Sequence, residues 1–497
     1  MSKTNYTHIL KYAGLFGSVQ ILGIAVNILR NKLAAVLLGP DGFGLSAIFS
    51  SATRLFSDAT NLGLPVSGVK MIADSYGKEE DLLAARVCLI RSYVLLTALL
   101  GTVLFLACIP LIDHFTFSWG NHQLHFLLLS PIVGMTILSS GEIAILKGMR
   151  QLNTLAKVSI YHLLAALFVS IPIYYFWGLQ GIVPSLVILS AIHLLLVYSF
   201  SVKILPLRFS LANPSFLRAG IPMLKLGMAF VATGVLGSGA EFLVRSFLNR
   251  MASVEVVGLY TAGFSMMMTY AAIAFSSMDS DYFPRLATVV NDVPSMNKTV
   301  NEQAEVALLI IAPLFIVFIV CLPFLLPLLY SGRFIPVIDM LRVAAIAMYI
   351  RSIKLPVEYI PLSKGDYFSH VFLEAVYFVL FVICALWGYA IGGLTGMGYG
   401  ILFNSMFSYV VVLVYTRKKY SYRMSGSLQR YVLLQLPIGV GMFLLTFFTT
   451  GLAYWAIGAI SLLLSSGISL YILKKKTTVL EGVRRRLKGI WGRNKNG

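Results

Sequence analysis

Seven basic side chains read as lying in the cores of apolar stretches long enough to cross a bilayer: Arg30, Lys32, Arg54, Arg245, Arg342, Arg351 and Lys354. A cation at that depth is costly unless it faces water, a partner or an anionic ligand. Arginine suits phosphate in particular, because its planar fork donates paired hydrogen bonds and stays charged at any relevant pH. Four acids sit at helical spacing from these bases. Asp58 follows Arg54 by four residues, Glu358 follows Lys354 by four, Glu241 precedes Arg245 by four, and Asp339 precedes Arg342 by three. Such spacings put each pair on one helix face. Internal ion pairs that cancel therefore compete with an open cationic cavity. The bases outnumber the acids seven to four and cluster on four stretches of the chain, which favours a cavity. Its cargo would be anionic, held by Arg30, Lys32, Arg54, Arg245, Arg351 and Lys354; a cargo with a diphosphate head and a greasy tail would need such a cavity. Asp58, Glu241 and Glu358 could then carry protons or tune release.

The elements that must position these residues follow from composition. The chain has 497 residues, of which 58% are hydrophobic and 12% charged. Mean hydropathy is +0.83. A water-soluble fold of this size could not keep its surface wetted with so little polar material. Disordered, collagenous and disulfide-scaffold classes fall to the same numbers. The expected class is an all-α polytopic membrane protein.

A spanning helix needs about 20 apolar residues. Fourteen runs meet that need: 9–38, 45–69, 87–112, 123–146, 158–177, 180–202, 222–248, 256–284, 306–330, 334–361, 367–388, 392–416, 431–450 and 452–473. Gly and Pro punctuate the joins, as in GPDGFG at 39–44 and YAIGG at 389–393. The intramembrane bases fall on the first, second, seventh and tenth runs. Arg54 lies about 14 Å from the outer end of its run at 1.5 Å per residue, near the midplane of the bilayer. The first run has no small-residue cleavage site and reads as a retained helix.

Charge sets the expected orientation. With the N-terminus inside, 30 of the 39 Lys and Arg lie on the inner side and only Arg250 and Arg333 on the outer. Cytoplasmic loops collect basic residues, so the net charge of +19 reads as membrane topology and not as nucleic-acid binding. Residues 474–497 hold nine basic residues and one acid, with Leu480, Val483, Leu487, Ile490 and Trp491 at helical spacing. That tail is expected to be an amphipathic anchor on the anionic cytoplasmic leaflet.

A faint repeat links the first two runs to the seventh and eighth at an offset of 214. Asp41 falls on Glu255, Gly44-Leu45 on Gly258-Leu259, and Ser51 on Ser265. Six runs separate the copies, so they share orientation, an arrangement known in transporters. The expected organisation is two pseudo-symmetric six-helix lobes, 1–208 and 209–420, an appended helix pair at 421–473, and the tail. The basic cavity would lie between the lobes.

Other candidates carry less. Asp279 and Asp281 form a D-x-D without further ligands, Glu142 and Glu374 read as structural, and His162 and His193 as single core histidines. The Met266–Met268 run reads as deformable packing. Pro172, Pro184, Pro222, Pro313 and Pro356 suggest helix bends. The four cysteines show no metal-ligand spacing, and no Walker A loop, nucleophile elbow or zinc motif occurs. An enzyme, a metal and a cofactor are not expected.

Residues 31–74, NKLAAVLLGPDGFGLSAIFSSATRLFSDATNLGLPVSGVKMIAD, resemble the start of bacterial Wzx-type polysaccharide flippases. These belong to the multidrug/oligosaccharidyl-lipid/polysaccharide exporter superfamily. The resemblance rests on a helix ending in a Gly-Pro-x-Gly-x-Gly turn before a second helix with a Gly-rich end. It implies two six-helix lobes in a V around a central cavity. It also implies flipping of an undecaprenyl-diphosphate-linked oligosaccharide between leaflets of the cytoplasmic (inner) membrane, for an O-antigen-like surface polysaccharide, with polysaccharide-assembly proteins as partners. Cations of the first, second and seventh helices would hold the diphosphate, and Arg30, Lys32, Arg54 and Arg245 occupy comparable places. The bases of the tenth run have no counterpart in the family pattern. Two other readings stand beside this one. A drug or cation exporter of the same superfamily would prefer an acidic cavity. A membrane-embedded glycan polymerase or acyltransferase would need a large outer loop or an acid/base cluster, and neither is found.

Overall fold

The computed structural model describes residues 3–77, 80–118, 120–210, 220–275, 281–449 and 451–476. Among them there is no β-strand, and nine helical stretches are long and apolar enough to cross a membrane. The chain is an all-α polytopic membrane protein. Its helices are α1 (Lys3–Thr60), α2 (Leu64–Ala73), α3 (Glu80–Thr116), α4 (Gln123–Gly148), α5 (Leu152–Trp177), α6 (Ile182–Ser201) and α7 (Ile221–Met251). They continue as α8 (Val254–Phe275), α9 (Phe283–Val289), α10 (Val293–Leu329), α11 (Ile338–Ser363), α12 (Tyr367–Tyr420), α13 (Gly426–Leu445) and α14 (Gly451–Lys476). The basic tail beyond Lys476 and Asp279 lie outside the described residues.

Two long helices each hold a pair of the apolar runs. In α1 the break is Gly39, at φ 66° and ψ −170°. Only glycine adopts that conformation without strain, and Pro40 then starts the second segment without an amide hydrogen to satisfy. In α12 the break is Gly392-Gly393, with Gly393 at φ 58°. The backbone leaves helical geometry inside these helices at glycines, and Pro222 stands in the first turn of α7, where a missing N–H costs nothing.

The second apolar run is shorter than its hydropathy suggests. It stops at Thr60, and a turn at Asn61–Gly63 separates it from α2. Asn61 Oδ1 accepts from the Gly63 amide at 2.8 Å, and Gly63 takes φ 68°. This is an Asx turn, which offers the backbone an alternative to continuing the helix. Of the run at 256–284, α8 covers the residues up to Phe275, and 276–280 lie outside the described residues.

The described chain divides into two compact units. The first comprises Met1–Ala262 with Leu326–Pro336, the second Gly263–Leu325 with the chain from Val337 onward. In the first unit α1 packs along α5 and α7, and α4 packs on α2, α3 and α6. Glycines allow the closest approaches. A Cβ on Gly44 would stand 2.0 Å from the Val254 carbonyl oxygen, and one on Gly258 would stand 1.8 Å from the Pro40 oxygen. These two glycines are the repeat-related pair, and the first unit brings their backbones together.

In the second unit the two arms of α12 meet in the same way. A Cβ on Gly388 would be 2.3 Å from the Gly396 oxygen, and one on Gly400 would be 2.0 Å from the Cys384 oxygen. Small residues let membrane helices touch along their backbones. Asp366 caps α12, accepting from the Ser369 amide at 3.1 Å and from Lys419 Nζ at 2.7 Å. Those bonds, Lys419 first, hold its carboxyl well below the usual carboxylate range. The last helix pair is tied to α10: Lys476 and Ser427 both donate to buried Glu305, and Tyr454 donates to the carbonyls of Ile319 and Val320.

Candidate anion-binding cavity

The first unit holds an open cavity of about 300 Å³. Arg30 comes to it from the first segment of α1 and Arg54 from the second. A straight helix would hold residues this far apart at roughly 36 Å, at 1.5 Å per residue. The glycine break in the GPDGFG turn is what lets both reach one site. Arg245 and Glu241 enter from α7, one helical turn apart. Asn31, Ser46, Ser50 and Tyr174 add neutral hydrogen-bonding groups to the wall.

The charges converge on one atom. Glu241 Oε2 lies 3.3 Å from Arg245 Nη1 and 3.7 Å from Arg54 Nη1. Asp58 Oδ2 stands 3.7 Å from Arg54 Nε. At 3.7 Å Arg54 makes no hydrogen bond to either carboxylate, and its side chain is 63% exposed. Arg245 is largely covered, and its buried Nε has no hydrogen-bond partner. Guanidiniums grouped at a cavity wall are equipped to take an oxyanion.

The other basic residues have different surroundings. Lys32 is not in the cavity wall. Its Nζ donates to the Pro327 carbonyl at 2.6 Å, in the last turn of α10. A cation is well placed there, where helix carbonyls lack partners. Arg342 pairs with Asp339 at 3.0 Å. Arg351 and Lys354 belong to the second unit. Arg351 Nη1 lies 3.8 Å from Met268 Sδ, and its guanidinium is 6.0 Å from the Phe275 ring centre. The Met266–Met268 run thus supplies a soft contact to a cation as well as packing. Lys354 Nζ is paired with Glu358 at 2.9 Å, lies 3.3 Å from Ser408 Oγ and sits 4.0 Å above the Tyr377 ring. Both partners of that pair are buried. All four ion pairs suggested by helical spacing are therefore formed, and only those on Arg54 and Arg245 border the cavity.

One buried cation escaped notice in the sequence. Arg91, inside the apolar run 87–112, grips Glu142 at 2.6 and 3.0 Å through Nε and Nη2. Ser201 also donates to Glu142, and Arg91 Nη1 donates to the Pro206 carbonyl at 2.7 Å. The available signal was Glu142 itself, an acid in an otherwise apolar run. Glu142 is structural, as its setting in the sequence suggested. His162 and His193 are not separate core residues: their rings face each other with centres 4.5 Å apart. Asp281 pairs with Arg285 at 3.8 Å.

A family model described as "Polysaccharide biosynthesis protein" matches residues 33–339. No curated protein sequence matches the chain. Among solved structures, the lipid II flippase MurJ in an inward closed conformation superposes with a TM-score of 0.69 at 15% identity, covering 92% of this chain and 99% of MurJ. An inward-facing multidrug resistance MATE family transporter of the MOP superfamily gives 0.64 at 16% identity, covering 82% and 95%. A MOP superfamily transporter from Pyrococcus furiosus, described as having a binding pocket of reverse polarity, gives 0.55 at 14% identity over 82% and 93%. At these identities the likeness establishes a shared fold.

Proposed function

We propose, proceeding from the fact that this chain belongs to the polysaccharide biosynthesis protein family, that it is a flippase for a lipid-linked oligosaccharide. The observation that carries the reading is the cavity itself, in which Arg30, Arg54 and Arg245 outnumber Glu241. The cargo is a prenyl diphosphate, of the undecaprenyl class, bearing a glycan for a surface polysaccharide. The diphosphate sits on the three arginines, neutral wall groups such as Asn31 and Tyr174 meet the first sugar, and the tail stays in lipid. Lys32, Arg351 and Lys354 are engaged elsewhere and are not needed for this site. Alternating access, proceeding from the cytoplasmic to the outer leaflet of the inner membrane, moves the cargo. Asp58, Glu241 and Glu358 are the acids available for coupling to an ion gradient.

The basic cavity also separates this reading from an exporter of cationic drugs, whose substrates it would repel. Replacing Arg54 with Ala is expected to abolish outer-surface glycan while the protein stays in the membrane at normal abundance. Normal export by that variant would remove Arg54 and the proposed site from the mechanism. A polymerase defect, by contrast, would leave single glycan units at the surface.

A further inference from the structure

The geometry points to Glu241 as an internal counter-anion that holds the place of the cargo's diphosphate and helps to expel it after translocation. The inference rests on the diphosphate reading above and adds to it a release device.

Glu241 spans the two arginines that lie on different helices. A single oxygen, Oε2, stands 3.3 Å from Arg245 and 3.7 Å from Arg54. An oxyanion bridging the same two guanidiniums must occupy nearly that position. The two anions therefore compete, and like charges cannot share one site cheaply. The carboxylate is a weak holder. Its contact with Arg54 is longer than a hydrogen bond, and its side chain is 34% exposed to the cavity. Nor is Arg245 satisfied by it, since the buried Nε has no partner. Glu241 thus offsets the repulsion between the two arginines and pre-positions them without saturating them, which lowers the reorganisation needed on binding.

Charge balance leads to the same place. The cavity and its immediate rim hold three guanidiniums and two carboxylates, those of Glu241 and Asp58. A diphosphate joined to two alcohols carries roughly two negative charges near neutral pH. Its arrival would set about four negative charges against three positive ones, so one carboxylate must swing away or take a proton. Asp58 can remain beside Arg54 Nε, on its own helix. Glu241, between the arginines, is the group displaced. Its return competes directly with the bound diphosphate and favours release. A site made only of arginines would bind the cargo more tightly and let it go more slowly.

The test uses the full-length protein in nanodiscs, with farnesyl diphosphate as the probe. Wild type, Glu241→Gln, Glu241→Asp and Arg54→Ala are compared for affinity and dissociation rate. Glu241→Gln keeps the shape and removes the charge. It is expected to bind about tenfold tighter and to dissociate more slowly, the gain shrinking at high salt. In cells it should lower glycan export at unchanged protein abundance. Glu241→Asp keeps the charge and should stay close to wild type. A merely structural ion pair would behave oppositely, because its loss would loosen the site and weaken binding. Unchanged or weaker binding by Glu241→Gln, or identical behaviour of the Gln and Asp variants, overturns the release role alone. Failure of wild type to bind the probe any better than Arg54→Ala overturns the diphosphate reading and this inference together.

Discussion

Arg91 lays two nitrogens of its fork on the two oxygens of Glu142, and both side chains are 1% exposed. Arg54 also has carboxylates nearby, yet it is 63% exposed and bonded to neither. The same side chain is thus a locked strut in one place and an open donor in another. Charge and hydropathy do not separate the two, because what differs is whether the partner fills the fork. Breaking a buried pair leaves one uncompensated charge, at a cost of about 3–5 kcal/mol. Arg91→Ala should therefore lower the thermal unfolding midpoint in detergent sharply, whereas Arg91→Met combined with Glu142→Leu should recover most of the loss. If Arg91→Ala melts like wild type, the pair is not a strut. Pairs at a spacing of three or four, such as Lys354–Glu358, were legible in the sequence because helix geometry alone brings them together. Arg91 and Glu142 lie 51 residues apart, and only the packing of α3 on α4 unites them.

At the level of elements, glycine carries the architecture. Gly39 lets α1 turn so that Arg30 and Arg54 reach one cavity, and Gly44 and Gly258 let two repeat-related turns touch along their backbones. The repeat in the sequence rests on few identical letters. One of them, glycine at 44 and 258, is needed because a side chain would meet a backbone carbonyl that cannot move aside. Gly258→Ala places a Cβ 1.8 Å from the Pro40 oxygen. Overpacking of this kind costs typically about 1–3 kcal/mol. The variant should fold less stably and lose glycan export, as the displaced α1 carries Arg30 and Arg54 with it. Wild-type stability and export in Gly258→Ala would show that the turn can shift without consequence. Hydropathy misplaced one boundary, at Thr60. It has a visible cause in the Asn61 side chain, which competes locally with the helix for the backbone.

For the whole molecule, the strong inner bias of Lys and Arg predicts an orientation. With all four native cysteines replaced by serine, Trp177→Cys should react with a membrane-impermeant thiol reagent from outside intact cells, and Arg423→Cys only after lysis. The reverse pattern would invert the topology and place the cavity's entry on the other face. The sequence by itself determined the class, since 58% hydrophobic residues cannot be wetted in any soluble fold. It also determined the family, through residues 33–339, and the all-helical class, since a lipid setting forces each backbone group into an internal hydrogen bond. Tertiary structure decided which cations line the cavity. Six residues were candidates for the anion site, and three line the cavity: Arg30, Arg54 and Arg245. Lys32 caps a helix end, and Lys354 is neutralised by a buried carboxylate. An ionisable side chain's task depends on the atoms within a few ångströms of it. Across long separations along the chain, those neighbours exist only once the helices have packed.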